Sequence, residues 1–135
     1  MQERATTAAG FPVRLRWLRM GEDLCLTLSG GEREHIGAVA VAQPRPSLAD
    51  PARTSATASV ITLPGHKEDM LARELSLKVA GSLNIAVCVV CGIHVPHPTP
   101  DMLDELLAAS HALVDAFLAE MQNAVNMKID KKVLP

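Results

Sequence analysis

Residues 56–91 read ATASVITLPGHKEDMLARELSLKVAGSLNIAVCVVC, and this stretch decides the fold. It begins with a segment of strand character that ends at Pro64-Gly65. Apolar side chains then recur every four residues, as is typical of one face of an amphipathic helix, at Leu71, Leu75 and Val79. The continuous apolar run 85–91 predicts a strand that is covered on both faces. A strand, a helix and a strand in this order predict a right-handed crossover whose two strands are parallel neighbours.

The sequence upstream of this unit predicts three further strands. Apolar and polar residues alternate over 13–17 and again over 24–28, with a turn signal at Gly21 between them. These two segments therefore predict an antiparallel hairpin. Residues 35–42 predict the next strand, one face of which carries only alanine side chains. The proline-containing segment 43–55 predicts a surface loop.

The sequence downstream of residue 91 predicts a second, longer helix. Thr99 is typical of an N-cap and Pro100 of a first helical position. The apolar stripe of this helix consists of Leu103, Leu106, Leu107, Leu113, Val114, Phe117, Leu118 and Met121. We expect Leu107 and Leu113, in the middle of the stripe, to be buried in the core.

These elements together predict an α/β fold, a mixed β-sheet in the order β-β-β-β-α-β-α. Two long helices, near residues 67–82 and 99–123, are expected to pack on the sheet. A chain of 135 residues suffices for one core of ordinary size, so we expect a single domain over residues 12–123. The unpatterned residues 1–11 predict a flexible N-terminal tail, and residues 124–135 predict a loose C-terminal tail.

Composition and charge exclude several classes of function. The net charge is −2, and the chain has two Phe, one Trp and no Tyr. Proteins that bind nucleic acids generally need a basic surface or aromatic side chains that stack on bases, so no nucleic-acid partner is expected. No run of about 18 apolar residues occurs, so no membrane-spanning segment is expected either.

The cysteines and the N-terminus indicate a cytoplasmic protein. Cys25, Cys88 and Cys91 are an odd set, and no apolar leader precedes them, so we expect them to be reduced. Cys88 and Cys91 are three residues apart in a predicted strand. Because such residues point to opposite faces of a sheet, the pair is not expected to share a metal ion.

Three histidines lie at predicted strand ends. His66 follows one strand of the crossover, His94 follows the other, and His35 begins the strand that precedes them. Open α/β sheets bind ligands outside the carboxyl ends of their parallel strands. If the strand that begins at His35 is antiparallel to these two, all three histidines lie at one edge of the sheet. The predicted pocket at this edge is lined by His35, Gly37, His66, Lys67, Glu68 and His94.

The segment Gly65-His66-Lys67-Glu68 lies where a strand turns into a helix. The first N–H groups of a helix lack internal partners and the helix dipole favours negative charge, so a phosphate or a carboxylate is the expected occupant. Lys67 adds a positive charge. The alternative interpretation is an ordinary solvated first turn, because the segment contains only one glycine and is not a Walker loop.

Two other classes of function remain open at this point. His35, His66 and His94 are candidate ligands for zinc in a small metal-dependent enzyme, in which Glu68 would serve as acid or base. The site is alternatively a contact surface of a structural or assembly protein.

An ordered set of short motifs resembles a known family: His35-Ile36-Gly37-Ala38, Gly65-His66-Lys67-Glu68 and Gly92-Ile93-His94. Each motif lies at a predicted strand end. Over roughly residues 12–122 the chain resembles the D-type accessory protein of bacterial gallate-type decarboxylases, the prenylated flavin chaperone (LpdD-like) family.

This resemblance implies a fold similar to that of proteasome assembly chaperones. It implies an accessory protein without turnover of its own, which binds prenylated FMN or a related flavin. It also implies two partners, a flavin prenyltransferase and a UbiD-type aromatic acid decarboxylase, to which the cofactor is delivered or for which it is matured. The candidate cofactor-site residues that it supplies are His35, His66, Lys67, Glu68 and His94.

The sequence departs from the family pattern at one point. Val95-Pro96-His97 follows Gly92-Ile93-His94, where the family has a polar and often acidic residue. A related flavin or another phosphate-bearing ligand is therefore an alternative occupant. We also expect a homodimer, because Met70 and Leu77 lie off the main stripe of the first helix.

Overall fold

The computed structural model describes residues 1–66 and 68–133, and these residues form one six-stranded sheet with two helices. The strands are β1 (Gln2–Ala8), β2 (Phe11–Met20), β3 (Asp23–Gly31), β4 (Arg33–Pro46), β5 (Thr54–Thr62) and β6 (Val87–His94). The helices are α1 (Asp69–Leu83) and α2 (Pro100–Val133). The predicted α/β class, a mixed sheet with two helices, is confirmed.

The order of the strands in the sheet is β1-β2-β3-β6-β4-β5. Strand β6 pairs with β3 in parallel and with β4 in the antiparallel sense, and β4 also pairs with β5 in the antiparallel sense. The prediction that β5 and β6 are neighbours is therefore wrong, because β4 lies between them. After the β4–β5 hairpin, helix α1 crosses over this hairpin, so that β6 pairs with the side of β4 opposite β5. Strands β5 and β6 nevertheless run in the same direction, since both are antiparallel to β4.

The N-terminal segment is a strand and not the predicted flexible tail. Residues Gln2–Ala8 form β1, which pairs with β2 along its whole length. The indole N–H of Trp17 donates a hydrogen bond of 2.7 Å to Oε1 of Gln2, the first residue of β1. This contact holds the start of β1 against β2. Most side chains of β1 are exposed. Because its pairing depends on backbone groups and not on a buried apolar face, β1 has no apolar pattern in the sequence.

The C-terminal segment is helical and not the predicted loose tail. Helix α2 has 34 residues and continues to Val133, although the side chains of residues 122–132 are exposed. Lys131 and Lys132 lie in its last turn, where positive charge is favourable to the helix dipole. Within the described part of the chain, neither helix combines the length and the apolar content needed to cross a membrane.

Both helices pack on the same face of the sheet. The cross-strand row of Leu15, Leu28, Cys91 and Ala38 is buried on that face. Helix α1 covers β4, β5 and β6, and α2 covers β1 and β2. The alanine face of β4, predicted from its sequence, lies directly under α1 and is fully buried. We call this side of the sheet the covered face and the other side the open face.

Candidate functional site

The structure brings His35, His66 and His94 together at one end of the sheet. His94 is the last residue of β6, His66 follows β5, and His35 is near the start of β4. The ring centroids of His35 and His66 are 4.5 Å apart, and those of His35 and His94 are 6.3 Å apart. The three rings meet although β5 and β6 are not neighbours, because the direction of these strands alone determines which edge their ends reach.

An irregularity in β4 sets the position of His35. The pairing of β4 with β6 shifts its register between Glu34 and Ala38. Such bulges turn side chains out of the regular alternation of a strand and are frequent beside functional sites. A Cβ atom on Gly92 would collide with the backbone oxygen of His35. Gly92 therefore allows the irregular part of β4 to lie against β6.

The carboxylate of Glu68 reaches the same place from the helix side. Glu68 is the N-cap residue of α1 but does not cap the helix with its side chain. Its Oε1 atom instead accepts a hydrogen bond of 3.3 Å from the N–H of Ile93, and lies 3.0 Å from Nε2 of His35. A Cβ atom on Gly37 would collide with this carboxylate. The two glycines, Gly37 and Gly92, are thus the residues that make room for the cluster.

The negative charge of Glu68 also affects the thiol of Cys91 in the core. Burial, the larger cause, and the negative charge of Glu68 together raise the pKa of the Cys91 thiol to about 12. Cys91 lies on the covered face, whereas Cys88 is half-buried on the open face. Cys91 is consequently a neutral thiol at physiological pH.

The cluster forms one wall of a cavity of about 510 Å³. The polar wall consists of His35, Gly65, His66, Glu68 and His94. The aliphatic wall consists of Leu71, Ile93, Val95, Pro98, Leu103, Leu106 and Leu107. A concave site of this size, mostly apolar with a few converging polar groups, is typical of small-molecule and cofactor sites.

The predicted site residues fall into three groups. Five of them, His35, Gly65, His66, Glu68 and His94, line the cavity. Gly37 lies behind the polar wall, where it accommodates the carboxylate of Glu68. Lys67 lies outside the described residues, so the predicted anion site at the start of α1 stays a prediction.

The aliphatic wall is the part of the site that sequence reasoning missed. Leu107, expected in the core, is 44% exposed and lines the cavity, whereas Leu113 on the same helix is 8% exposed. The expectation for Leu107 is therefore wrong and that for Leu113 is right. The signal available in the sequence was the apolar stripe of α2, whose Leu103, Leu106 and Leu107 line the cavity in the structure.

The polar wall also contains a set of groups close enough to share a metal ion. Among the described residues this set is His35, His66 and Glu68, whose ligand atoms lie within 4.8 Å of one another. The three-histidine set predicted from the sequence is not the one that meets this distance. Glu68 takes the place of His94.

Comparison with known proteins gives one result for the whole of this region. A family model described as the prenylated flavin chaperone LpdD-like domain matches residues 7–122. The match begins at the end of β1, continues into α2 and includes both walls of the cavity. No curated protein matches the chain.

Proposed function

The chain belongs to the prenylated flavin chaperone LpdD-like family, and on this premise we propose that its two-walled cavity binds prenylated FMN or a closely related flavin. We propose further that the protein has no turnover of its own and delivers the cofactor, in the cytoplasm, to a UbiD-type aromatic acid decarboxylase. The observation that carries the proposal is the cavity of about 510 Å³ with one polar and one aliphatic wall.

The chemistry of the two walls fits a prenylated flavin. A flavin ring system is flat and largely apolar, and a prenyl group adds further apolar surface. The leucines of α1 and α2 offer an aliphatic bed for these parts, which suits a chain with two Phe, one Trp and no Tyr. The imidazoles of His35, His66 and His94 offer hydrogen bonds to the polar edge of the ring or to the phosphate.

An unsatisfied group in the polar wall supports the same assignment. Among the described residues, the Nδ1 atom of His35 is buried and has no hydrogen-bond partner. A buried polar group without a partner is costly, so such a group in a cavity wall favours an external ligand. The flavin supplies several hydrogen-bonding atoms when it is bound.

Binding is tested by spectroscopic titration of the purified protein with FMN and with prenylated FMN. His66→Ala is expected to weaken binding, since a hydrogen bond to a charged group contributes about 1.5–3 kcal/mol, or about tenfold to a hundredfold in affinity. The melting temperature is expected to stay nearly unchanged. His111→Ala is the matched control, because His111 contacts Lys78 and Glu74 away from the cavity.

The proposal fails if neither flavin binds, or if His111→Ala weakens binding as much as His66→Ala does. Delivery is tested separately. Flavin-loaded protein is mixed with the apo form of a UbiD-type decarboxylase, and the recovered decarboxylase activity is compared with that obtained from free cofactor. Faster or more complete activation by the loaded protein supports delivery. Equal activation by free cofactor limits the protein to storage.

The predicted homodimer remains a further proposal. Met70 is 68% exposed on α1 and offers an apolar contact for a second copy. Sedimentation of the full chain tests it, and a single species of 14.4 kDa would exclude it.

A further inference from the structure

We infer that the polar end of the cavity is a binding site for a divalent transition-metal ion held by His35, His66 and Glu68. The three side chains offer two imidazole nitrogens and a carboxylate oxygen, all within 4.8 Å of one another. Metal–ligand bonds of about 2.0–2.2 Å hold neighbouring ligand atoms about 3–3.5 Å apart. The cluster therefore needs only small side-chain rotations to close on an ion. This inference goes beyond the flavin proposal and does not depend on it.

The contact between His35 and Glu68 points to a shared ion. Nε2 of His35 lies 3.0 Å from Oε1 of Glu68, within hydrogen-bond distance. Yet, among the described residues, this nitrogen makes no hydrogen bond of acceptable geometry. An imidazole nitrogen and a carboxylate oxygen that lie close together without a hydrogen bond between them are arranged like two ligands of one metal ion. The rings of His35 and His66, 4.5 Å apart between centroids, bring the third donor to the same point.

The surroundings of the three ligands also favour a metal site. Ligands of bound metals are themselves oriented by hydrogen bonds, which raise affinity by fixing the ligand geometry. The N–H of Ile93 donates to Glu68, and Gly37 and Gly92 leave the space in which the carboxylate and the His35 backbone lie. The side chains of His35 and Glu68 are only 16% and 14% exposed, so the positions of both groups are set by packing.

The donor set indicates the class of ion. Two imidazoles and one carboxylate, without a thiolate, suit zinc and its neighbours cobalt and nickel, and a His₂Glu set occurs in zinc sites with an open coordination position. All three residues line the cavity, so open positions of the ion would face it.

The ion would also change the charge of the polar wall. A divalent ion held by one carboxylate and two neutral imidazoles leaves a charge of +1, which attracts an anion. An oxygen of a phosphate or a carboxylate is thus the group that the loaded site would take.

The test is titration of the chelator-treated full chain with Zn²⁺ by calorimetry and with Co²⁺ by visible absorption, both without flavin. We expect one ion per chain. Glu68→Gln and His66→Ala each remove a direct ligand, so each should lower Zn²⁺ affinity by at least the roughly tenfold to hundredfold known for loss of a supporting contact. His111→Ala is the control and keeps the affinity of the unaltered chain.

The outcomes separate this inference from its rivals. An unaltered chain that binds no ion, or one whose affinity survives both Glu68→Gln and His66→Ala, overturns the inference. Loss of affinity in His94→Ala but not in Glu68→Gln also overturns it in favour of the three-histidine set.

A second measurement covers variants that fail to fold. Electron paramagnetic resonance of the unaltered chain with one equivalent of Cu²⁺ should show coupling to two imidazole nitrogens, and a spectrum without nitrogen coupling contradicts the site. Flavin binding without ion binding would leave the proposed function standing while this inference falls.

Discussion

The two faces of the sheet obey the same alternation of side chains but differ in what covers them. On the covered face, Leu15, Leu28 and Cys91 lie in one cross-strand row and are fully buried. On the open face, the adjacent row includes Arg16, Thr27 and Val90, none of which is fully buried. Strand pairing holds both rows equally. The cost of a substitution in stability should therefore depend on whether a helix covers the residue and not on its position in the sheet.

The largest effect is expected in the centre of the covered face. Phe117 is fully buried, and its ring lies 4.9 Å from that of Trp17. Phe117→Ala should lower the free energy of unfolding by about 3–5 kcal/mol, because it removes apolar contacts and leaves a cavity. Ile61→Ala, at a residue that is 69% exposed on the open face, should cost less than about 1 kcal/mol. Urea unfolding measures both, and similar losses would contradict the comparison.

A smaller difference is expected along α2 itself. Leu113→Ala should cost about 2–4 kcal/mol, the usual range for a buried leucine. Leu107→Ala should cost less than about 1 kcal/mol, because the side chain is 44% exposed and its loss encloses no void. Leu107→Ala should instead weaken flavin binding several-fold through the aliphatic wall. Equal losses of stability in the two variants would show that the cavity is filled by protein.

The buried thiol of Cys91 should make the stability of the fold depend on pH in the alkaline range. Burial and Glu68 raise the pKa of Cys91 to about 12 in the folded protein, above the usual value of a free thiol. Between these two pKa values the unfolded chain releases a proton that the folded chain keeps. Stability therefore falls as pH rises above about 9, by up to about 1.4 kcal/mol per pH unit.

Cys91→Ala isolates this contribution. The variant should lose less stability than the unaltered chain between neutral pH and pH of about 10, whatever its stability at neutral pH. Cys88→Ala, on the open face, is the matched control and should change the slope less. Parallel curves for Cys91→Ala and the unaltered chain would show that the thiol ionises in the folded state.

The smallest effect is expected from the ion pairs of the open face. Burial acts to raise the pKa of Glu34, but its hydrogen bonds from Arg14 and Arg16 and the positive charge of Arg16 outweigh this and lower the pKa. The resulting stabilisation is present at neutral pH and is lost as pH falls through the lowered pKa. Glu34→Gln should make the melting temperature slightly less sensitive to acid. This difference should shrink in high salt, and one that grows with salt would contradict an ionic origin.

Much of the fold was predictable because helices carry their own periodic signal. The start of α2 at Thr99-Pro100 and the stripe of α1 are local features of the sequence. The insertion of β6 between β3 and β4 was not predictable in this way, since strand pairing is a tertiary choice that no local pattern records. Strand β1 was missed for a related reason: its exposed side chains carry no apolar alternation.

The site likewise has parts that the sequence predicts and parts that depend on tertiary contacts. The meeting of His35, His66 and His94 was predicted from strand direction, on the condition that β4 is antiparallel to β5 and β6, as it is in the structure. The presence of Glu68 rather than His94 in the close cluster with His35 and His66 could not be predicted from the sequence. It depends on the bulge in β4 and on the carboxylate of Glu68, which does not cap the helix. The aliphatic wall was missed because periodicity shows which residues share a face but not whether a neighbour covers them.

The central position of β6 has a consequence for how the chain reaches its native state. Strand β6, which joins β3 to β4 in the sheet, begins at residue 87. About two thirds of the chain must therefore be synthesised before the sheet can close. Until then the meander β1–β3 and the hairpin β4–β5 each expose an unpaired backbone edge, which is the kind of edge that recruits strands from other molecules. Joining partners so distant in sequence is also slow, because a long loop must be closed before any contact forms. Nascent chains that stop before β6 should therefore be the aggregation-prone species during synthesis, and fragments cut before residue 87 should not yield a stable sheet.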